Sequence, residues 1–271
     1  MRYIIDHDYH IHSRLSPCSG NPEQTPERML KYAKEYGLKK ICITDHYWDS
    51  TVAGASDWYK PQNFEHVIQS KPLPKAEGTE FLFGCETELD KNLTLGMPKS
   101  RFDDFAFIII PTTHLHMEGF TIDAADVNSH KRRAELWISR LDAVLDMDLP
   151  FYKIGIAHLV CGLFDKRSRA DLTKTLDLIP TEEMERVFAK AARVGCGIEL
   201  NRDDMKHFTD DETDSIMRPF RVAKAMGCKF YLGSDAHRPA IFTDPTMGAF
   251  NRAIDILGLT EDDKFHIGSG L

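Results

Sequence analysis

The sequence predicts an α/β fold, a parallel barrel of the TIM type whose functional residues gather at the C-terminal ends of its strands. Two observations carry this. Short β-rich runs alternate with helical patterns at intervals of roughly 25 to 47 residues, the rhythm of repeated parallel βαβ units. Histidines and carboxylates then recur at the downstream ends of those runs, on the face where a parallel barrel builds its site. The runs are Tyr3 to Tyr9, Lys40 to Thr44, Phe81 to Cys85, Phe105 to Thr113, Ile154 to Ala157, Gly197 to Leu200 and Lys229 to Gly233, which predicts seven strands. Between the first two, Thr25 is placed to cap a helix that has Pro26 at its first position and Gly37 beyond its end. Thr181 is placed to cap another, with Glu182 and Glu183 in its first turn; Gly195 and Gly227 read as C-terminal stops. The roughly 35 residues after His46, rich in Trp, Tyr, Pro and Gly, read as a long loop, which in a compact domain is more often functional than idle.

A length of 271 residues fits one barrel or two ordinary domains. No linker, low-complexity stretch or internal repeat divides the series, so residues 1–271 read as one domain. The formal charge is −8, from 34 Lys and Arg against 42 Asp and Glu. That balance argues against nucleic acid held by a blanket of cations. The longest strongly apolar run, Phe105 to Ile110, is far short of the roughly 20 residues that cross a bilayer. Asp6, His7 and Asp8 interrupt the start, where a signal peptide needs apolar residues. The six cysteines form no CxxC pair and mostly sit in apolar runs. Together these features predict a soluble protein of the reducing cytoplasm.

His10, His12, His46, His114, His116, His158 and His237 all fall at a predicted strand end or one to four residues beyond it. The same ends supply Glu86, Glu88, Glu199, Asn201 and Asp235. On a strand, residues i and i+2 project to one side, so His10 and His12 can ligate one ion. The pairs His114 with His116, Glu86 with Glu88 and Asp235 with His237 share that parity. Mixed imidazole and carboxylate donors suit zinc, iron or manganese better than magnesium or calcium. There are too many donors for one tetrahedral ion, so two or three metals are expected, with Glu86 able to bridge two. His7, His66, His130, His207 and His266 lack this placement and read as structural or surface histidines.

These residues make the chain resemble the PHP domain superfamily, the polymerase and histidinol phosphatase group. Asp8-Tyr-His10-Ile-His12-Ser resembles its opening motif, Ile43-Thr44-Asp45-His46 its TDH motif, and Gly84-Cys85-Glu86 its GxE strand. His114 and His158 stand where single ligands follow the fourth and fifth strands, and Gly233-Ser234-Asp235-Ala236-His237 resembles the closing motif. The resemblance implies a distorted TIM-like (β/α)7 barrel. It also implies that His10, His12, Glu86 and Asp235 surround one metal, that His114 and His158 hold a second bridged by Glu86, and that His46 and His237 serve a third. Cys18 stands where many members place a His or Asp ligand, so it is either a soft ligand of the third site or a packed loop cysteine. His116 is additional to the family pattern and is a candidate for substrate contact.

The expected chemistry is hydrolysis of a small phosphomonoester by a metal-activated water. Catalytic roles fall to Glu86 and Asp235, with His237, Asp45 or a metal-bound water as candidates to protonate the leaving group. A phosphate also favours a bidentate arginine. Arg202 and Arg238 are the foremost candidates, ahead of Arg14, Arg167 and Arg169. Tyr47, Trp48, Trp58 and Tyr59 either cover an organic leaving group or pack their loop onto the barrel. Histidinol phosphate is the first specific substrate to consider. The alternatives are another metal-dependent hydrolase, acting on an amide or a phosphodiester, and a non-catalytic metal-binding regulatory module.

Overall fold

The computed structural model describes residues 1–165, 168–206, 208–211 and 213–268. Its strands are β1 (His7–Ile11), β2 (Lys40–Ile43), β3 (His46–Tyr47), β4 (Glu80–Thr87), β5 (Phe107–Pro111), β6 (Ile154–Ala157), β7 (Gly197–Asn201) and β8 (Lys229–Gly233). Every ladder between them is parallel, and the order is β1-β2-β4-β5-β6-β7-β8, with two-residue β3 attached beside the end of β4. This is a distorted TIM-like (β/α)7 barrel, with helices outside the sheet.

Closure between β8 and β1 relies on polar side chains. The Leu232 N–H donates to His7 Nε2 at 3.1 Å, and the Ser234 N–H donates to Asp8 Oδ1 at 2.9 Å. Backbone bonds resume only at the rim, from Asp235 N to His10 O and from His12 N to Ala236 O. Here the first predicted strand is corrected: it runs from His7 to Ile11 rather than from Tyr3 to Tyr9. All five of its residues are buried, three of them polar, because their partners lie across the seam and in the site.

The helices are α1 (Pro26–Tyr36), α2 (Phe64–Val67), α3 (His130–Asp146), α4 (Arg169–Asp177), α5 (Thr181–Val194), α6 (Arg202–Met205), α7 (Arg218–Ala225) and α8 (Asp244–Leu257). The Thr25 hydroxyl caps α1 by accepting from Arg28 N, and Gly37 takes the left-handed conformation that ends it. Thr181 is the first residue of α5 and Pro180 holds the cap position, one residue earlier than expected.

Side chains of β5 show how the core divides. Phe107 and Ile109 point into the barrel with Tyr9, Tyr231 and Phe265. Ile108 and Ile110 point outward into the larger cluster that includes Trp137, Leu141 and Val144 of α3. Burying each such side chain contributes on the order of 1.5–3 kcal/mol. The barrel is therefore filled at its base and middle, leaving its C-terminal rim for polar residues. No helix among the described residues is long and apolar enough to cross a membrane.

Candidate metal centre

At that rim, side chains from the ends of β1, β3, β5, β6 and β8 converge on Glu86, a fully buried residue of β4. Its Oε2 lies 2.9 Å from His46 Nδ1, 3.4 Å from His12 Nε2 and 3.6 Å from His10 Nε2. Its Oε1 lies 3.2 Å from His158 Nε2 and 4.0 Å from His114 Nε2. Asp235 faces the same space, with Oδ1 3.2 Å from His12 Nε2 and 3.5 Å from His10 Nε2. His237 completes the ring, stacked on His12 with centroids 4.2 Å apart.

Ligand atoms of four triplets lie within 4.8 Å of one another: His12 with His46 and His237, His10 with His12 and Glu86, His10 with His158 and Asp235, and Glu86 with His114 and His158. Both Glu86 oxygens, Asp235 Oδ1, His46 Nδ1 and His114 Nε2 are buried without a hydrogen-bond partner. Buried polar atoms are normally satisfied. Five such atoms facing one space, in a set of imidazoles and carboxylates, fit divalent cations.

A further layer of side chains orients these imidazoles, as polar partners commonly do for metal-binding histidines. His10 Nδ1 lies 2.6 Å from Glu199 Oε1, and His114 Nδ1 lies 2.8 Å from Glu88 Oε2. His12 Nδ1 lies 3.0 Å from the Ser16 hydroxyl, which donates to Asp45 at 2.7 Å. His237 Nδ1 lies 2.8 Å from the carbonyl of Asp235. The backbone is fitted to the site as well. His158 (φ +62°) and Asp235 (φ +50°) are two of three described non-glycine residues with positive φ, a conformation sustained only where surroundings enforce it. At Gly233 a Cβ would overlap the Glu199 carboxylate and come within 2.7 Å of His10 Cβ.

The electrostatics follow from crowding. Burial alone would push the His10 imidazole down, but Glu199, Asp235 and Glu86 hold its pKa well above the ordinary value. Burial would raise Glu86, yet His46 and His10 hold it well below the carboxylate range. His114, buried and beside His158, falls to about 3, and His237, buried and beside His12, to about 4. Two carboxylates thus face three imidazoles whose pKa is raised, His10, His12 and His158, and three whose pKa is lowered, His46, His114 and His237; cations binding here would displace protons from the first three.

Other candidates fall elsewhere. Cys18 belongs to none of the clusters of ligand atoms, although it lines the cavity above them. Cys18 is exposed as a residue, and partial desolvation with the nearby Glu86 and Asp235 carboxylates pushes its thiol up to about 12. Asp45 accepts from Ser13 N, Ser13 Oγ and Ser16 Oγ, which makes it a brace for the loop after β1. Arg202 pairs with Asp203, Arg238 is exposed, and neither lines the cavity. Arg14 borders a separate depression, Arg169 pairs with Asp214, and Arg167 and His207 lie outside the described residues. His116 lines the cavity, its ring 5.3 Å from that of His114. His7, His66 and His130 bond to Leu232, Leu15 and Thr175, outside the cluster.

Sequence reasoning assigned no role to Ser16, Glu88 or Glu199, and it passed over Arg140. The Glu residues carried the signal of strand-end placement. Arg140, buried in α3, donates to the carbonyls of Thr112, Leu89 and Asp90 and so fixes two of the site loops. Cys161 and Asp204 were also missed; with His158 they form a fifth close triplet, from the segments that follow β6 and β7.

The cavity over the cluster holds about 530 Å³ and is walled by Trp58, Tyr59, Met117, Phe120 and Leu163 as well as by the candidate ligands. The aromatic residues of the long loop thus divide. Tyr47 and Trp48 are buried in packing, whereas Trp58 and Tyr59 face the cavity.

Comparison with known proteins agrees with this architecture. A protein of Thermoanaerobacter sp. (strain X514) named as a probable phosphatase is 25% identical over 268 residues, covering 97% of this chain and 89% of its own. A counterpart from Thermoanaerobacter pseudethanolicus matches to the same extent. The crystal structure of histidinol phosphate phosphatase from Lactococcus lactis, complexed with Zn, L-histidinol and phosphate, superposes with a TM-score of 0.61 at 17% identity. That match covers 97% of this chain and all of the other, and it shows a shared fold. The model of the PHP domain matches residues 8–203, and the chain belongs to that family.

Proposed function

We propose that this chain is a metal-dependent phosphoesterase that hydrolyses a small phosphomonoester. It would hold two or three divalent cations, zinc, iron or manganese, among His10, His12, His46, Glu86, His114, His158, Asp235 and His237. The observation that carries the reading is Glu86: a buried carboxylate with imidazoles on both of its oxygens and no hydrogen bond to either. Bound divalent cations supply Lewis acidity and lower the pKa of a coordinated water to about 7. No serine or cysteine nucleophile is then required. Glu199, Glu88 and Ser16 orient His10, His114 and His12, so the donors are preorganised. His237 has Nδ1 committed to the Asp235 carbonyl, which leaves Nε2 to hold a cation or to give a proton to the leaving group. Asp45 is committed to Ser13 and Ser16 and acts through His12 instead.

No lysine or arginine is among the described residues lining the cavity. The phosphoryl charge therefore falls to the cations and to the imidazoles, His116 among them, rather than to Arg202 or Arg238. Family membership and the phosphatase names of the curated relatives support this reading. Histidinol phosphate is the first substrate to assay, because the Lactococcus structure contains L-histidinol and phosphate. Unpaired cysteines, five of them buried, suit the cytoplasm.

The test is a panel of histidinol phosphate, another phosphomonoester, a dinucleotide and an amide, assayed with protein loaded with Mn²⁺ or Zn²⁺. Release of inorganic phosphate from monoesters is the expected result. Preference for the dinucleotide or the amide contradicts it, and metal-loaded protein inert toward the whole panel points to a regulatory module.

A further inference from the structure

Two loops form a wall over the cluster that the chemistry at the metals does not use. Trp58 and Tyr59 come from the loop after β3, and Met117 and Phe120 from the loop after β5. The loops are packed together through Tyr59 and Phe120, centroids 5.5 Å apart. This wall is joined to the site, because the Tyr59 hydroxyl donates at 3.3 Å to the same Glu88 oxygen that orients His114. Trp58 meets His46 at 4.9 Å and Tyr59 at 4.7 Å, both edge to face, and keeps 39% of its surface exposed. An exposed tryptophan beside a cavity, with no ring lying parallel to it among the described residues, offers a stacking surface. Beyond the cluster, among the described residues, the cavity is lined by no lysine or arginine and by one carboxylate, the exposed Glu118.

Resting on the phosphomonoesterase reading, we infer that the leaving group carries a flat aromatic ring, seated against Trp58 and Phe120, and bears no second anionic group. A ring there would replace water on an apolar wall. A second phosphate would meet no lysine or arginine among the described residues of the cavity and would face Glu118.

The experiment compares alkyl esters of similar leaving-group chemistry on the metal-loaded enzyme: 2-phenylethyl phosphate, ethyl phosphate and propane-1,3-diol bisphosphate. Binding of 2-phenylethylphosphonate and ethylphosphonate is measured in parallel by calorimetry. Burial of the ring predicts kcat/KM for the phenylethyl ester about 10- to 100-fold above that for ethyl phosphate, a matching preference between the phosphonates, and the bisphosphate the poorest of the three. Trp58→Ala and Phe120→Ala should each reduce the phenylethyl-to-ethyl ratio severalfold. Equal kcat/KM for the two monoesters, or preference for the bisphosphate, overturns the inference while leaving the phosphoesterase reading intact. If no ester is hydrolysed, that reading fails and the phosphonates decide the wall: tighter binding of the phenylethyl compound supports it, and equal binding overturns it.

Discussion

Glu199 Oε1 lies 2.6 Å from His10 Nδ1, and the same carboxylate uses Oε2 to accept the backbone N–H of His158 at 3.1 Å. One buried side chain of β7 thus fixes two candidate ligands from different strands, one through its ring and one through its backbone. Glu199→Gln keeps the shape but weakens the charge-assisted contact to His10. The expected outcome is a 10- to 100-fold loss of metal affinity or turnover, with the circular dichroism spectrum retained. Metal titration of the variant checks it.

Gly233→Ala places a methyl group against that same Glu199 carboxylate and against His10. Neither neighbour can retreat, since both are fully buried. Overpacking of this kind costs about 1–3 kcal/mol, so the apparent melting temperature should fall together with metal content. An unchanged melting curve would show that the β7–β8 rim is looser than described.

Cys18→Ser should leave the metal-to-protein ratio unchanged, because the thiol is outside the clusters of ligand atoms. Elemental analysis of wild type and variant settles this. Loss of one ion per chain would make Cys18 a ligand.

Much of this site was legible because its donors follow strand ends, and a strand end is visible wherever an apolar run stops. His10, His12, His46, Glu86, His114, His158, Asp235 and His237 could all be found that way. The same rule misjudged β1, where His7, Asp8 and His10 interrupt the apolar pattern although all are buried. Their polarity serves the seam with β8 and the site, so function overrides the local pattern. Nearness in sequence to a site segment, the ground for the candidate substrate arginines, does not turn a side chain inward: neither Arg202, paired with Asp203, nor Arg238 lines the cavity. Ser16, Cys161 and Asp204 carry no periodic signal, since their roles depend on loops whose path only the folded chain reveals.

Asp49 provides a pH-dependent contribution to stability away from the metals. Burial would raise its pKa, but hydrogen bonds from Thr51, Tyr47 and Arg101 draw it down to about 2 from the ordinary 3.8. A carboxyl whose folded pKa is depressed stabilises the fold above its unfolded value, and the contribution disappears as pH falls from about 4 through 2. Asp49→Asn should therefore be less stable than wild type at pH 7, by about 1–3 kcal/mol, with the gap narrowing below pH 4. Urea denaturation of both proteins at pH 7, 5 and 3 measures it.

The central claim is that Glu86 and the surrounding imidazoles hold divalent cations together. Anomalous scattering from crystals of the metal-loaded protein tests it most directly. At least two peaks are expected at the rim, each about 2.0–2.3 Å from histidine nitrogens or carboxylate oxygens, with Glu86 touching more than one. Density at the rim without anomalous signal, or ions bound only elsewhere on the surface, would contradict the account.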